Sequence, residues 1–219
     1  MRSDDRETRP TASAKPGPAH PNGLERLLEL AMLNSIEKLS AMLEVPIRLE
    51  NREVVPLESG VRLSTQEGEA PCCSVVFGVK GDSHGALFLE LTQDAAAAIC
   101  ELAPEGLREY LPEAAERNRA LLEELGNLLA STYLDVFSDF SGLRMLPTAP
   151  AYAEGTSEQL RARFLAALQA EPRPTRVLKG VLAIGTGPTT MLVASAFPDG
   201  VVEHVLAGAR DHCPHLFFV

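Results

Sequence analysis

Apolar side chains follow two different rhythms along this chain. From residue 24 to about 44, Leu27, Leu28, Leu30, Leu33, Ile36, Leu39 and Leu43 recur at helical spacing and cover more than one stripe, which predicts a helix covered on several sides. After Pro46, residues 47–55, 73–80 and 85–92 are rich in Val, Leu and Phe and are separated by stretches containing Gly, Pro and Asp. These predict three strands, the last two joined as a hairpin over Gly81, Asp82 and Ser83. Residues 93–103 predict a short Ala-rich helix, ended by Pro104 and Gly106.

The same order then returns. A long helix is predicted over 112–141, strands over 143–149, 175–184 and 189–196, and a helix over 200–209. The chain therefore reads as an internal duplication, with repeat one at 23–104 and repeat two at 110–211. The second repeat has an inserted amphipathic helix over 157–170, with Leu160, Phe164, Leu165 and Leu168 on one face, where the first has only a polar loop near 64–70. Residues 1–22 mix charges with Pro10, Pro16, Pro18 and Pro21, lack large apolar side chains, and are expected to be a disordered leader. Residues 212–219 form a tail ending in Leu216, Phe217, Phe218 and Val219, apolar enough to dock on its own domain or on a partner.

Composition narrows the function. At 219 residues and 45% hydrophobic content the chain can bury a substantial core. Thirty acidic against 20 basic residues give a net charge of -10, and with 5% aromatic content and no Trp this excludes a nucleic-acid binder. No apolar run is long enough to span a membrane, and Arg2, Asp4, Asp5, Arg6 and Glu7 lack an apolar segment behind them, so a cytoplasmic protein is expected. Cys72, Cys73, Cys100 and Cys213 show neither disulfide-framework nor CxxC spacing, and read as free thiols. Adjacent Cys72 and Cys73 cannot both point inward from a strand, so one should face the core and the other a helix or solvent. His212, Cys213 and His215 lack a fourth metal ligand, and Gly180, Gly185 and Gly187 precede a strand rather than the helix a phosphate loop needs. Neither a metal nor a cofactor is expected on this chain.

The second long helix carries the candidate chemistry. At 100° per residue, with Ala120 at zero, Glu124 falls at about 40°, Asn127 at about 340° and Ser131 at about 20°. Leu121, Leu125, Leu128, Thr132 and Val136 cluster at about 80° to 160°, so the helix has a core face and a separate polar stripe. Gly126 inside the helix implies either a close approach to the backbone beside Asn127 or packing against a neighbouring helix. A carboxylate and an amide one turn apart could pair with a lysine and position a hydrolytic water, or could be a solvated outer face; spacing alone does not decide.

The segments 124–134 and 142–150 resemble the signature of the CheC/CheX/FliY phosphatases of bacterial chemotaxis. That signature is Ser or Asp, three residues, Glu, two residues, Asn, twenty-two residues and Pro; Glu124, Asn127 and Pro150 match it, while Ala120 stands at the opening position. The resemblance implies an α+β, pseudo-twofold CheC-like fold with two long helices packed on an antiparallel sheet, closest to a two-repeat CheC-like protein. It implies hydrolysis of the aspartyl phosphate of a CheY-type response regulator, with Mg²⁺ held by the regulator. Glu124 would pair with the regulator's lysine, Asn127 would orient the attacking water, and Ala120, Gly126, Ser131 and Pro150 would be supporting positions. On the first helix the equivalent positions are Arg26 and Glu29, so a single site is expected. The alternative is a non-catalytic adaptor for a response regulator or for the receptor deamidase CheD. A third reading is a flagellar-switch component resembling FliY.

Overall fold

The computed structural model of the chain describes residues 21–57, 70–109, 114–168 and 174–214. In chain order the elements are α1 (Pro21–Leu43), β1 (Ile47–Pro56), β2 (Pro71–Gly81), β3 (Gly85–Thr92), α2 (Gln93–Leu102), α3 (Glu105–Glu109), α4 (Ala114–Ser141), β4 (Met145–Pro147), β5 (Ala151–Thr156), α5 (Ser157–Ala167), β6 (Arg176–Ile184), β7 (Thr190–Ala196) and α6 (Asp199–His212). The fold is α+β, as the sequence predicts.

All seven strands join one antiparallel sheet in the order β1-β6-β7-β3-β2-β4, with β5 also pairing β2. The hairpins β2–β3 and β6–β7 meet at the centre, where Phe88 lies opposite Ala194 and Leu89 opposite Val193. The first strand of each half crosses to the other half: β1 pairs β6, while β4 and β5 pair β2. This interleaving is a pseudo-twofold arrangement in which neither half completes a sheet alone.

Local contacts repeat in register as well. The Ser40 hydroxyl accepts from the Ile47 N–H at 3.2 Å, and the Ser138 hydroxyl accepts from the Met145 N–H at 3.3 Å. Placing Ser40 on Ser138 also places Glu44 on Gly142, and both hold left-handed φ angles, 56° and 69°, just after their helices. The same superposition puts Asn34 on Thr132, and these two touch: the Asn34 amide donates to the Thr132 carbonyl at 2.8 Å, where α1 crosses α4. Glycine holds the left-handed position without a Cβ penalty, whereas Glu44 bears it. Glu44→Gly is expected to raise stability by about 0.5–1 kcal/mol, less than the full relief because glycine also loosens the unfolded chain. A thermal melt against the parent checks this.

The central strands are buried on both faces, which explains their unbroken apolar runs. Leu87, Leu89 and Leu91 of β3 join Val75, Phe77, Leu178, Leu182 and Val193 in a core beneath α1 and α4. Ala86 and Phe88 point the other way, to a second core with Leu192, Ala194 and Val181 under α5. There the Phe88 and Phe164 rings stand 5.2 Å apart. Cys73 lies in the first core and Cys72 in the second, so the adjacent cysteines do divide between faces, with both buried.

Burial pushes the Cys73 thiol up to about 12 and the Cys100 thiol up to about 11, against an ordinary value near 9. Arg117 opposes the rise at Cys100. A thiol pKa raised in the folded state contributes stability that is intact below the unfolded value and is lost as pH climbs through the folded one. The urea midpoint is therefore expected to be level up to about pH 8.5 and to fall from about pH 9 to 12, the Cys100 contribution being spent by about pH 11. The buried Tyr133 phenol is shifted in the same direction and adds to the fall from about pH 10 upward. Cys100→Ala should flatten the first part of the decline.

Several boundaries differ from the sequence reading. α1 starts at Pro21 rather than 24, so the last two residues of the expected leader are helical, with proline in the first turn, where its missing N–H costs nothing. The strand expected over 143–149 shortens to β4, which ends at Pro147, and a further strand that the sequence did not predict, β5, follows Pro150; both pair β2. Pro104 and Gly106 flank and enter a short helix, α3, rather than only ending α2; the Pro104 carbonyl accepts from the N–H groups of Leu107 and Arg108. α6 runs to His212, three residues past the expected end and one residue into the expected tail. The leader before Pro21, residues 112–113 of the expected long helix, the end of the inserted helix at 169–170, most of the 64–70 loop, and His215 with the rest of the tail lie outside the described residues.

Candidate functional site

α4 carries the stripe. Leu121, Leu122, Leu125, Leu129, Ala130, Tyr133, Leu134 and Phe137 are buried, so the core face is far wider than the 80° sector expected from sequence. The reason is that α4 is embraced on three sides. The sheet lies beneath it, where the Tyr133 and Ser195 hydroxyls share a hydrogen bond of 2.7 Å. α1 packs alongside, with the Thr132 hydroxyl donating to Ser35 at 3.1 Å and Ser35 reaching the Leu129 carbonyl at 3.3 Å. α6 closes against its C-terminal end, where a ring nitrogen of His204 meets the Ser141 carbonyl at 3.0 Å.

What remains outside is narrow. Glu124 is exposed, and Ala120, Asn127 and Ser131 are half-buried along the same line. Among the described residues, neither Glu124 nor Asn127 is engaged in a hydrogen bond or ion pair, so both side chains are free to meet a partner. Gly126 lies on the opposite side of the helix. A Cβ there would sit 2.9 Å from the Phe77 ring of β2, so close packing against a strand, rather than against a helix or an incoming ligand, explains the glycine. Pro150 is half-buried in the turn between β4 and β5, where it helps to divide the two strands. None of the described hydrogen bonds links it to α4.

The corresponding positions on α1 are arranged differently. Glu29, where the superposed register has Asn127, is held by Arg52 of β1 at 2.9 Å, and Arg26, in the place of Glu124, is half-buried. A bulky cation and a committed carboxylate thus occupy the counterpart of the exposed pair.

On the β5 flank, sequence reasoning missed a small polar cluster. Arg119 donates to Glu123 at 2.9 Å and lies 5.7 Å from the centre of the Tyr152 ring, whose hydroxyl donates to Glu154 at 2.8 Å. The i,i+4 pair was legible in the sequence; Tyr152 was not, because its strand went unrecognised. Among the described residues no group of three or more His, Cys, Asp or Glu is placed to hold a metal ion, and no helix is long and apolar enough to cross a membrane.

No family model matches the chain. Solved structures do resemble it. FliY of Thermotoga maritima superposes with a TM-score of 0.63 at 15% identity, covering 89% of this chain and 98% of that one. The FliM middle domain of H. pylori gives 0.55 at 16% identity, over 85% and 95% of the two chains. A complex of CheX with CheY, BeF3 and Mg²⁺ from Borrelia burgdorferi gives 0.50 at 15% identity, over 78% and 97%. The interleaved seven-stranded sheet under two long crossed helices is therefore the CheC-like fold, shared with FliY, CheX and the FliM middle domain.

Proposed function

We propose that this protein accelerates hydrolysis of the aspartyl phosphate on a CheY-type response regulator of a chemotaxis pathway, in the cytoplasm, through a single site at Glu124 and Asn127. The observation that carries the reading is that this pair has the Glu-two residues-Asn spacing, stands on α4 with Glu124 exposed, Asn127 half-buried and both uncommitted, and has no equivalent on α1, where Glu29 is tied to Arg52. The solved pair of CheX with CheY, on the same fold, supports the choice of partner.

The chain's contribution is placement. The exposed Glu124 carboxylate would pair with a lysine beside the regulator's phosphorylated aspartate, fixing the approach of α4. The Asn127 amide, one turn on, would then enter the site, its carbonyl accepting from the attacking water and its N–H donating to it or to a phosphoryl oxygen. The charge developing on the phosphoryl group is met by the regulator's own Mg²⁺ and lysine. No bond forms to this chain. The burial of Leu125, Leu129 and Tyr133 matters here, because a helix pinned to the sheet presents the amide in one position.

A second reading is a non-catalytic adaptor that binds a regulator or CheD. It is favoured by Ala120 at the position where the signature has Ser or Asp, and by the likeness to the FliM middle domain. One assay separates the two: phosphorylate a cognate regulator, add the protein, and follow loss of the aspartyl phosphate. Acceleration supports the phosphatase; its absence with every cognate regulator, alongside retained binding to one of them or to CheD, leaves the adaptor.

A further inference from the structure

A cleft of about 220 Å³ opens between α2, α3 and the N-terminal turns of α4, lined by Ala97, Cys100, Glu101, Arg108, Arg117 and Asn118. It is an exception in a chain of net charge -10, because its lining carries two guanidinium groups against one carboxylate. Arg117 is the unusual member. Its Nε is buried and has no hydrogen-bond partner, and the described residues place no carboxylate within ion-pair distance of its guanidinium. A buried donor left unpaired carries a desolvation penalty that an incoming acceptor would remove. Asn118 supplies a neutral amide next to it, and the Cys100 thiol lies at the same wall.

Position gives the cleft its meaning. Arg117 precedes Glu124 by two turns on nearly the same side of α4, which separates their Cα atoms by about 10 Å along the helix axis. A protein docked over Glu124 and Asn127 would cover this opening too. We propose that the cleft is a second docking point for the regulator and receives one carboxylate side chain from it, held by Arg117 and Arg108. This rests on the function proposed above. One carboxylate suits the site better than a phosphate group, because Glu101 leaves the lining with one net positive charge, which matches a monoanion and opposes a dianion. The contact would supply anchoring that Ala120, lacking a polar side chain, does not.

The test measures binding of the full-length protein to a CheY-type regulator loaded with BeF3 and Mg²⁺, using wild type, Arg117→Gln, Arg108→Gln and the double variant, with phosphate decay followed in parallel. The expected result is a dissociation constant raised about five- to tenfold in the double variant, with the maximal rate of decay at saturation within about twofold of wild type. Raising salt should weaken wild type more than the double variant. Matching circular-dichroism melts would show that the variants are folded. Unchanged affinity and unchanged salt dependence in the double variant overturn the docking point while leaving the phosphatase reading intact. Binding that weakens as expected without acceleration by wild type supports the docking point and sinks the phosphatase. If wild type binds no regulator, both fall. If millimolar inorganic phosphate displaces the regulator from wild type, the occupant is phosphate-like and the carboxylate assignment fails.

Discussion

Asn127→Ala is expected to abolish catalysis while leaving the protein folded and able to dock. The amide is half-buried and takes part in no hydrogen bond among the described residues, so its removal costs the fold little. On the proposed mechanism, what it removes is the group that would hold water in line with the scissile bond. Loss of a single donor or positioning group that acts only in the transition state lowers rates by about 10²–10³. The maximal acceleration of aspartyl-phosphate decay should therefore fall about a hundredfold or more, with the half-saturating regulator concentration nearly unchanged. Glu124→Ala should divide its effect between the two quantities, because a charge pair that guides approach also fixes orientation. Arg26→Ala together with Glu29→Ala should leave the rate as it was. Equal activity in Asn127→Ala and wild type would remove Asn127 from the site even if the phosphatase reading held.

Gly208→Ala is expected to be the most damaging single methyl addition among the described glycines. A Cβ there would lie 1.7 Å from the Phe140 carbonyl oxygen of α4, and the obstacle is backbone, which cannot rotate away. α6 would have to lift off α4, opening the contact between His204 and the Ser141 carbonyl. Overpacking a well-fitted core costs about 1–3 kcal/mol, and a backbone clash belongs at the top of that range or above it. The urea midpoint should drop accordingly. Gly200 is a control in the same helix: nothing lies within 4 Å of its added Cβ, so Gly200→Ala should be neutral or gain up to about 1 kcal/mol in helix propensity. Equal midpoints for the two variants would mean that α6 does not press on α4 as described.

Much of this architecture was legible from residue pattern because burial writes directly into sequence. Strands covered on both faces, such as Gly85–Thr92 and Thr190–Ala196, are continuous apolar runs, and α1 is apolar around most of its circumference because the sheet and α4 both cover it. What escaped has physical causes. β5 (Ala151–Thr156) has a weak strand signal, AYAEGT, and owes its conformation to pairing with β2 rather than to propensity. The end of α6 was placed three residues early, at 209, although Gly208 beside it is a contact point inside the helix. The width of the α4 core face could not follow from one helix's own spacing, since it depends on how many neighbours embrace it. At the site, the spacing of Glu124 and Asn127 was visible, but their freedom from internal partners was not. On α1 the counterpart of Asn127, Glu29, has found Arg52, whereas no described residue of the second half reaches Glu124 or Asn127.

The exchange of first strands between the halves also sets an order of events during synthesis. Among the described residues β1 pairs only with β6, so Ile47 must wait for Ile184 to emerge before the ladder can close. Such non-local pairing slows folding and leaves a strand edge uncovered in the meantime. β1 is suited to that interval: Arg48, Glu50, Arg52 and Glu53 charge it, the register shift at Leu49/Asn51 interrupts its ladder, and Pro56 ends it. These are the features by which a lone strand avoids pairing with the wrong neighbour. Those features would guard the nascent first half until the second half, which carries Glu124 and Asn127, arrives to complete the ladder.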